Sequence, residues 1–146
     1  MVELMQVLEV ATNLGVIAGV VFALIQLRAM KRDRWIGLML QIADHATSPD
    51  FENALGKVTR ATANDARGLE EQVSYQSLCM VADYLEYIAY LAAQGHIEKE
   101  PALDFFPFES AWEKLRPWII AQREVYKSTR PYHEFELLAG LQAEAR

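Results

Sequence analysis

The chain has 146 residues, of which 52% are hydrophobic, and it carries a formal net charge of −6. Residues 1–34 hold four basic and three acidic residues, a net charge of +1, whereas residues 35–146 hold ten and seventeen, a net charge of −7. Proteins that bind nucleic acid neutralise phosphates with clustered Lys and Arg, so the acidic remainder argues against a nucleic-acid partner. The single cysteine, Cys79, excludes an intrachain disulfide and a multi-cysteine metal site.

An uncharged apolar stretch covers residues 10–27. As a helix it would be roughly 27 Å long, close to the hydrocarbon thickness of a bilayer. Glu3 and Glu9 precede the stretch and basic residues follow it, which is the reverse of the charge order in a cleaved signal peptide. We interpret the stretch as a membrane-spanning helix. A buried helix of a soluble bundle is the alternative, because the length is near the lower limit for spanning.

The C-terminal flank of this stretch is basic, and no Lys or Arg precedes it. The basic and interfacial residues of the flank are Arg28, Lys31, Arg32, Arg34 and Trp35. The positive-inside rule predicts that the N-terminus lies outside and that residues 35–146 lie in the cytoplasm. The cluster also predicts contact with membrane lipid through anionic headgroups, although Asp33 offsets part of its charge.

Small residues recur every fourth position along the same helix, at Ala11, Gly15, Gly19 and Ala23. In lipid there is no hydrophobic drive between helices, so association depends on close packing, which small side chains permit. The strip predicts pairing with a second copy of the chain, giving a homo-oligomer, or with a membrane helix of another protein. A strip that faces lipid without a partner is the alternative.

Residues 35–146 follow the anchor region, residues 1–34, and their apolar residues show helical rather than alternating spacing. No Gly-rich stretch or internal repeat divides them. We therefore expect an all-α protein in which one N-terminal transmembrane helix precedes a small soluble helical bundle. The first helix should continue to about His45, because only Gly37 interrupts its pattern.

Capping residues indicate where the helices of the bundle begin and end. Ser48 before Pro49 marks the start of the second helix. One long central helix is predicted over residues 69–94, with Gly95 as its terminator. Further helices are predicted at residues 100–106, at residues 108–126 and from Pro131 onward. Pro117 is expected either to kink the helix at residues 108–126 or to divide it.

The C-terminal half is rich in aromatic residues, which are expected to form the core of the bundle. These residues are Phe105, Phe106, Phe108, Trp112, Trp118, Tyr126, Tyr132 and Phe135. Trp112 and Trp118 flank Pro117, and we expect the three to be structural, with the tryptophans fixing a helix break by packing near Leu85 and Ile88. An exposed patch for a partner is the alternative interpretation of the aromatic residues.

Residue types that carry chemistry are sparse. The histidines His45, His96 and His133 fall in different elements without a second ligand at helical spacing, so no metal site is predicted. Asp83, Glu86 and Tyr87 form the nearest approach to a catalytic constellation, but surface positions or an ion pair with an arginine such as Arg116 explain them more simply. No phosphate loop or nucleophile elbow occurs. We predict no catalytic residue and no cofactor.

Several blocks of sequence occur in an order that identifies a family resemblance. They read SPDF at residues 48–51, YLEYIAYLAAQGHI at residues 84–97, AWEKLRPWI at residues 111–119 and YHEFELL at residues 132–138. Together they resemble an uncharacterised bacterial family, the domain of unknown function numbered forty-seven sixty. The resemblance implies a short single-pass protein of the bacterial inner membrane with a basic flank and a helical domain. It implies no catalytic residue.

These observations predict an interaction protein that is not an enzyme. The anchor would pair through its small-residue strip, and the helical domain would dock a cytoplasmic or membrane protein, as an accessory subunit does. A cryptic membrane-bound enzyme that uses the carboxylates of the central helix is the alternative.

Overall fold

The computed structural model describes the backbone of residues 2–145 and the side chains of residues 15–30 and 33–145. Over these residues the chain forms α-helices and no strand, which confirms the predicted all-α class. The chain divides into two compact units, Met1–Leu40 and Gln41–Arg146.

The described backbone contains seven helices in chain order. They are α1 (Val2–Ala46), α2 (Pro49–Arg60), α3 (Ala66–Gln72), α4 (Tyr75–Ala93), α5 (Lys99–Phe105), α6 (Phe108–Tyr126) and α7 (His133–Glu144). The first helix ends at Ala46, which confirms the prediction that it continues to about His45.

Residues 15–30 of α1 are mostly apolar and exposed. All described side chains between residues 15 and 30 are exposed, Val16 and Phe22 at 61% each. Among the residues with described side chains, no helical stretch combines the length and the apolar character needed to cross a bilayer. The span predicted at residues 10–27 includes residues 10–14, whose side chains lie outside the described part.

Two predicted helix boundaries in the second unit are confirmed by their capping geometry. The Ser48 hydroxyl accepts a hydrogen bond of 3.3 Å from the Phe51 amide, and Pro49 occupies the first helical position of α2. Gly95 follows α4 with a φ of +71°, a left-handed conformation in which a side chain would be strained. Glycine therefore ends α4 as the sequence predicts.

The predicted central helix over residues 69–94 is divided, so this prediction is wrong between Gln72 and Tyr75. Ser74 has a φ of +26° and caps α4, because its hydroxyl accepts a hydrogen bond from the Ser77 amide. Val73, the residue before the turn, is 1% exposed. The turn allows the chain to change direction while Val73 stays in the core, and the new cap satisfies an amide that the broken helix leaves unpaired.

The core of the second unit surrounds α4, which packs against α2, α5, α6 and α7. Its largest fully buried side chains include Leu78, Leu85, Leu115, Trp118 and Phe135. Two aromatic residues predicted for the core are instead exposed, Phe105 at 61% and Tyr126 at 63%. Each is the last residue of its helix, and the neighbouring Phe106 takes the buried position after α5.

Helix α6 runs unbroken through Pro117, so of the two effects expected at this proline, a kink or a division, the division is absent. Trp118 is fully buried, whereas Trp112 is half-buried and contacts Phe135 edge-on, with ring centroids 5.4 Å apart. Proline inside a helix removes one backbone hydrogen bond. The buried side chains on both sides of Pro117, Leu115 and Trp118, hold α6 against the core despite this loss.

One buried amide side chain joins three elements of the second unit. The Oε1 atom of Gln142 on α7 accepts a hydrogen bond of 2.7 Å from the Glu109 amide at the start of α6. Its Nε2 atom donates to the carbonyl of Phe106 at 2.9 Å and to the carbonyl of Leu103. Because its donors and its acceptor are all used, Gln142 is stable in the core and fixes α7 to the α5–α6 turn.

We expect residues 35–146 to fold without residues 1–34, because the core lies within the unit Gln41–Arg146. Circular dichroism of this fragment should show mostly helix and a cooperative thermal transition. As a control, Leu85→Ala in the same fragment should lower the free energy of unfolding by about 2–5 kcal/mol, because Leu85 is fully buried. A fragment that melts without cooperativity would show that the anchor or a partner completes the core.

Candidate functional site

The strongest candidate for an interaction surface is the exposed α1 segment, residues 15–30. Its large apolar side chains are each between 50% and 61% exposed: Val16, Ile17, Val20, Val21, Phe22, Leu24, Ile25, Leu27 and Met30. They lie around the whole circumference of the helix, whereas a helix on a water-soluble surface has one apolar face. Exposed apolar surface of this extent is typical of sites that contact a protein partner or lipid.

The small-residue strip lies partly within this segment. Gly15, Gly19 and Ala23 are exposed, and the side chain of Ala11 lies outside the described residues. A Cβ atom added at Gly15 or Gly19 would meet no atom within 4 Å. The protomer itself therefore does not require glycine at these positions, and helix pairing through the strip stays a prediction.

The basic flank begins at Arg28, within the exposed α1 segment, and continues beyond the end of that segment. Arg28 and Arg34 are exposed, and neither takes part in an ion pair among the described residues, while the side chains of Lys31 and Arg32 lie outside that part. Trp35 is half-buried, and its indole N–H is shielded without a hydrogen-bond partner in the described part of the chain. The two described arginines are thus available to an external anion.

Glu86, one of the two carboxylates predicted for the central helix, caps α7. Its Oε2 atom accepts a hydrogen bond of 2.7 Å from the Phe135 amide, and its Oε1 atom accepts one of 3.4 Å from the Glu134 amide. The N-cap residue of α7, Tyr132, provides no side-chain cap of its own. Burial raises the pKa of Glu86, and the two amide hydrogen bonds oppose this shift. The carboxylate is therefore a structural acceptor.

Asp83, the second carboxylate, is exposed and fixes the turn before α7. Its Oδ1 atom accepts a hydrogen bond of 2.9 Å from the Tyr132 hydroxyl. Burial raises the pKa of this phenol, and the hydrogen bond to Asp83 raises it further. Tyr132 has a φ of +60°, an unusual conformation for a residue with a side chain. The partner of Asp83 is thus a tyrosine, and Arg116 is exposed without an ion pair in the described structure.

Arg123 on α6 stabilises the same turn from the other side. It forms an ion pair of 2.9 Å with Glu136 and donates a hydrogen bond of 2.9 Å to the Pro131 carbonyl. Its guanidinium also lies 5.7 Å from the centroid of a Trp112 ring. The start of α7 is therefore held by acceptors on α4 and by a donor on α6.

The remaining candidates for chemistry do not converge. Among the described residues no three His, Cys, Asp or Glu side chains form a group that could hold a metal ion. His45 packs on Tyr84, with ring centroids 4.5 Å apart. The thiol of Cys79 is partly buried, and burial raises its pKa, which disfavours the thiolate that a nucleophile requires.

One group of side chains is not predicted by sequence spacing. The aromatic–acidic cluster consists of Glu70, Tyr75, Asp83, Trp118 and Tyr132, which come from α3, α4, α6 and the turn before α7. Trp118 donates a hydrogen bond of 2.9 Å from Nε1 to Glu70, a residue 48 positions away in the chain. Contacts between residues so far apart leave no periodic signal, and only the aromatic richness of the sequence indicates such a cluster.

Comparison with known proteins supports the family resemblance. Residues 13–141 match a family described as Domain of unknown function (DUF4760). No curated protein and no solved structure matches the chain significantly. The match extends from α1 to α7, so it includes the exposed α1 segment and nearly all of the second unit.

The cap of α7 can be tested by substitution. Glu86→Ala should lower the free energy of unfolding by about 1–2 kcal/mol, because two amides at the start of α7 lose their acceptor. Glu86→Gln should cost less at neutral pH, because its amide oxygen still accepts one hydrogen bond and no charge is buried. Urea denaturation of both variants and the parent measures the difference.

The stability of the parent relative to Glu86→Gln should depend on pH, and the direction of this dependence follows from the pKa of Glu86. The pKa of Glu86 is raised in the folded state above its usual value of 4.5, so protonation favours the folded state. The parent should therefore gain stability relative to Glu86→Gln as the pH falls from 7 through the raised pKa, and the difference should level off below 4.5. A difference that is constant over this range would contradict the assignment.

Proposed function

The chain belongs to the DUF4760 family, and we propose that it is a membrane-anchored interaction subunit whose helical domain docks a protein partner. Because that family is a domain of unknown function, the support comes from the structure. The observation that carries the proposal is the exposed α1 segment, in which nine large apolar side chains are each at least 50% exposed.

A membrane accounts for this segment better than a protein groove does. Burying an exposed apolar side chain of this size contributes about 1.5–3 kcal/mol, so nine of them supply a strong drive out of water. A groove on a partner covers one face of a helix, whereas hydrocarbon surrounds all faces at once. The uncharged sequence begins before the segment, at residue 10, and ends at residue 27, so it is eighteen residues long.

The basic flank supports one orientation of this anchor. Arg28 and Arg34 are exposed at the C-terminal end of the apolar sequence, and no basic residue precedes it. The positive-inside rule then favours a single-pass protein of the bacterial inner membrane with its helical domain in the cytoplasm.

The polar contacts of α4 favour interaction over the alternative, a membrane-bound enzyme that uses its carboxylates. Glu86 accepts two backbone hydrogen bonds, and Asp83 accepts the hydrogen bond of Tyr132. A general acid or base needs a carboxylate that can reach a substrate proton, and Glu86 is committed to α7. Asp83 is exposed and can contact a partner, which agrees with a docking surface.

Orientation can be tested with two C-terminal fusions expressed in bacteria. Alkaline phosphatase, which is active only in the periplasm, should be inactive when fused after residue 146, whereas a fluorescent protein that matures in the cytoplasm should be bright. Replacing Arg28, Lys31, Arg32 and Arg34 together with Glu should raise phosphatase activity, because the charge bias is removed. Strong phosphatase activity in the parent fusion would overturn the orientation, and both fusions in the soluble fraction would overturn the anchor.

Association through the small-residue strip is tested by two matched substitutions. Gly19→Ile should abolish crosslinking between anchors in native membranes, because a large side chain holds the helices apart. Val20→Ile adds bulk at the next position, off the strip, and should leave crosslinking intact. The protomer tolerates both variants, since a Cβ at Gly19 meets nothing within 4 Å and Val20 is 56% exposed. Equal crosslinking by Gly19→Ile and the parent would show that the strip faces lipid.

A further inference from the structure

Three basic residues of the anchor region share one face of α1. By helical register, Arg28, Lys31 and Arg32 fall within an arc of about 100° around the helix axis, because one turn takes about 3.6 residues. The only acidic residue between positions 28 and 35 is Asp33, which lies outside this arc, about 100° beyond Arg32. Arg28, Lys31 and Arg32 are called the basic face below.

No acidic residue lies at ion-pair spacing from the basic face. Residues three or four positions apart are neighbours on a helix, and at these distances the basic face has only uncharged or basic neighbours. Arg28 is itself a neighbour of Lys31 and Arg32, and like charges at these spacings destabilise a helix. Among the described residues Arg28 takes part in no ion pair. An external anion would therefore relieve a repulsion that the helix does not neutralise.

The basic face begins where the apolar stretch ends. With a rise of about 1.5 Å per residue, it extends from about 1.5 Å to about 7.5 Å beyond Leu27 along the axis. A bilayer of about 40–45 Å with a hydrocarbon core of about 30 Å has roughly 5–7.5 Å of headgroup layer on each side. For an anchor that follows the bilayer normal, the basic face thus lies at the level of the lipid phosphates.

We propose that the basic face binds the phosphate group of an anionic phospholipid. The inference rests on the proposed anchor and names the class of lipid that it selects. The Arg28 guanidinium can donate two N–H groups to the oxygens of one phosphate. Lys31 and Arg32 add two positive charges at the same level of the bilayer. Because no acidic residue shares this face, its charge favours a lipid with a net negative charge.

A lipid suits this face better than an acidic segment of a protein does. The apolar stretch would hold the basic face against the headgroups, so lipid phosphates surround it at a high effective concentration. An acidic segment would have to displace these phosphates. Zwitterionic headgroups also carry a phosphate, but the three positive charges repel their ammonium group. The basic face should therefore distinguish lipids by their net charge.

The preference can be measured with the full-length protein in dodecyl maltoside micelles that contain equal amounts of dioleoyl phosphatidylglycerol and dioleoyl phosphatidylcholine. These lipids share their acyl chains and their phosphate and differ in net charge. Affinity purification followed by mass spectrometry gives the molar ratio of the two bound lipids. Phosphatidylglycerol should be in excess by about tenfold or more, since each basic residue near an anionic surface contributes about fivefold. Added sodium chloride should lower this ratio.

Matched variants assign the preference to the basic face. Arg28→Gln should lower the lipid ratio about fivefold, whereas Arg28→Lys keeps the charge and should retain most of the preference. Arg34→Gln removes the same charge from a position that is also exposed but lies about 10 Å beyond Leu27, past the headgroup layer. It should lower the ratio by about twofold at most. Circular dichroism of the three variants, expected to match that of the parent, shows that the helices are retained.

Three outcomes would overturn the inference. These are equal retention of the two lipids by the parent, equal losses in Arg28→Gln and Arg34→Gln, and displacement of phosphatidylglycerol by sodium phosphate at constant ionic strength, which would identify a site for free phosphate. The C-terminal fusions test the anchor without any lipid measurement. Expected fusion activities beside a failed lipid preference would overturn the lipid site alone, and a lipid preference beside soluble fusions would overturn the anchor alone.

Discussion

The packing of α7 on α4 is the contact on which the second unit depends. Phe135 is fully buried and Leu138 is 2% exposed, so the first turn of α7 enters the core together with its unpaired amides. Glu86 on α4 accepts hydrogen bonds from two of them. Burying this carboxylate raises its pKa, which is an electrostatic cost, yet leaving the amides without an acceptor would also cost stability. Glu86 on α4 therefore provides the acceptor that the buried amides of α7 require.

Tertiary contacts therefore change the meaning of the carboxylates on α4. On one helix, Asp83 and Glu86 share a face and could suggest acid–base chemistry. In the bundle, Glu86 caps α7. Asp83 accepts a hydrogen bond from the Tyr132 hydroxyl, and this contact stabilises the turn before α7. Asp83 remains exposed, so it can also contact a partner. The proposed docking role follows from this division between a capping acid and an exposed one.

The two units carry opposite charge and different surfaces. The N-terminal region has an exposed apolar segment followed by basic residues, whereas residues 35–146 carry a net charge of −7. The proposed anchor near anionic headgroups and an acidic domain are compatible in one chain, because charge is screened within about 8 Å at physiological ionic strength. Each proposal is supported by residues of one unit, so each can fail separately.

The sequence by itself determined the all-α class, the family, the apolar stretch of α1 and the helix boundaries at Ser48 and Gly95. These features depend on neighbours within about one helical turn, where spacing and capping act directly. Only the tertiary structure decided that the predicted central helix divides at Ser74, that Phe105 is exposed and that Glu86 caps α7. Glu86 and the Phe135 amide that donates to it are 49 positions apart. Such contacts form only when the packed core brings distant helices together, and no local pattern in the chain specifies which polar groups then meet.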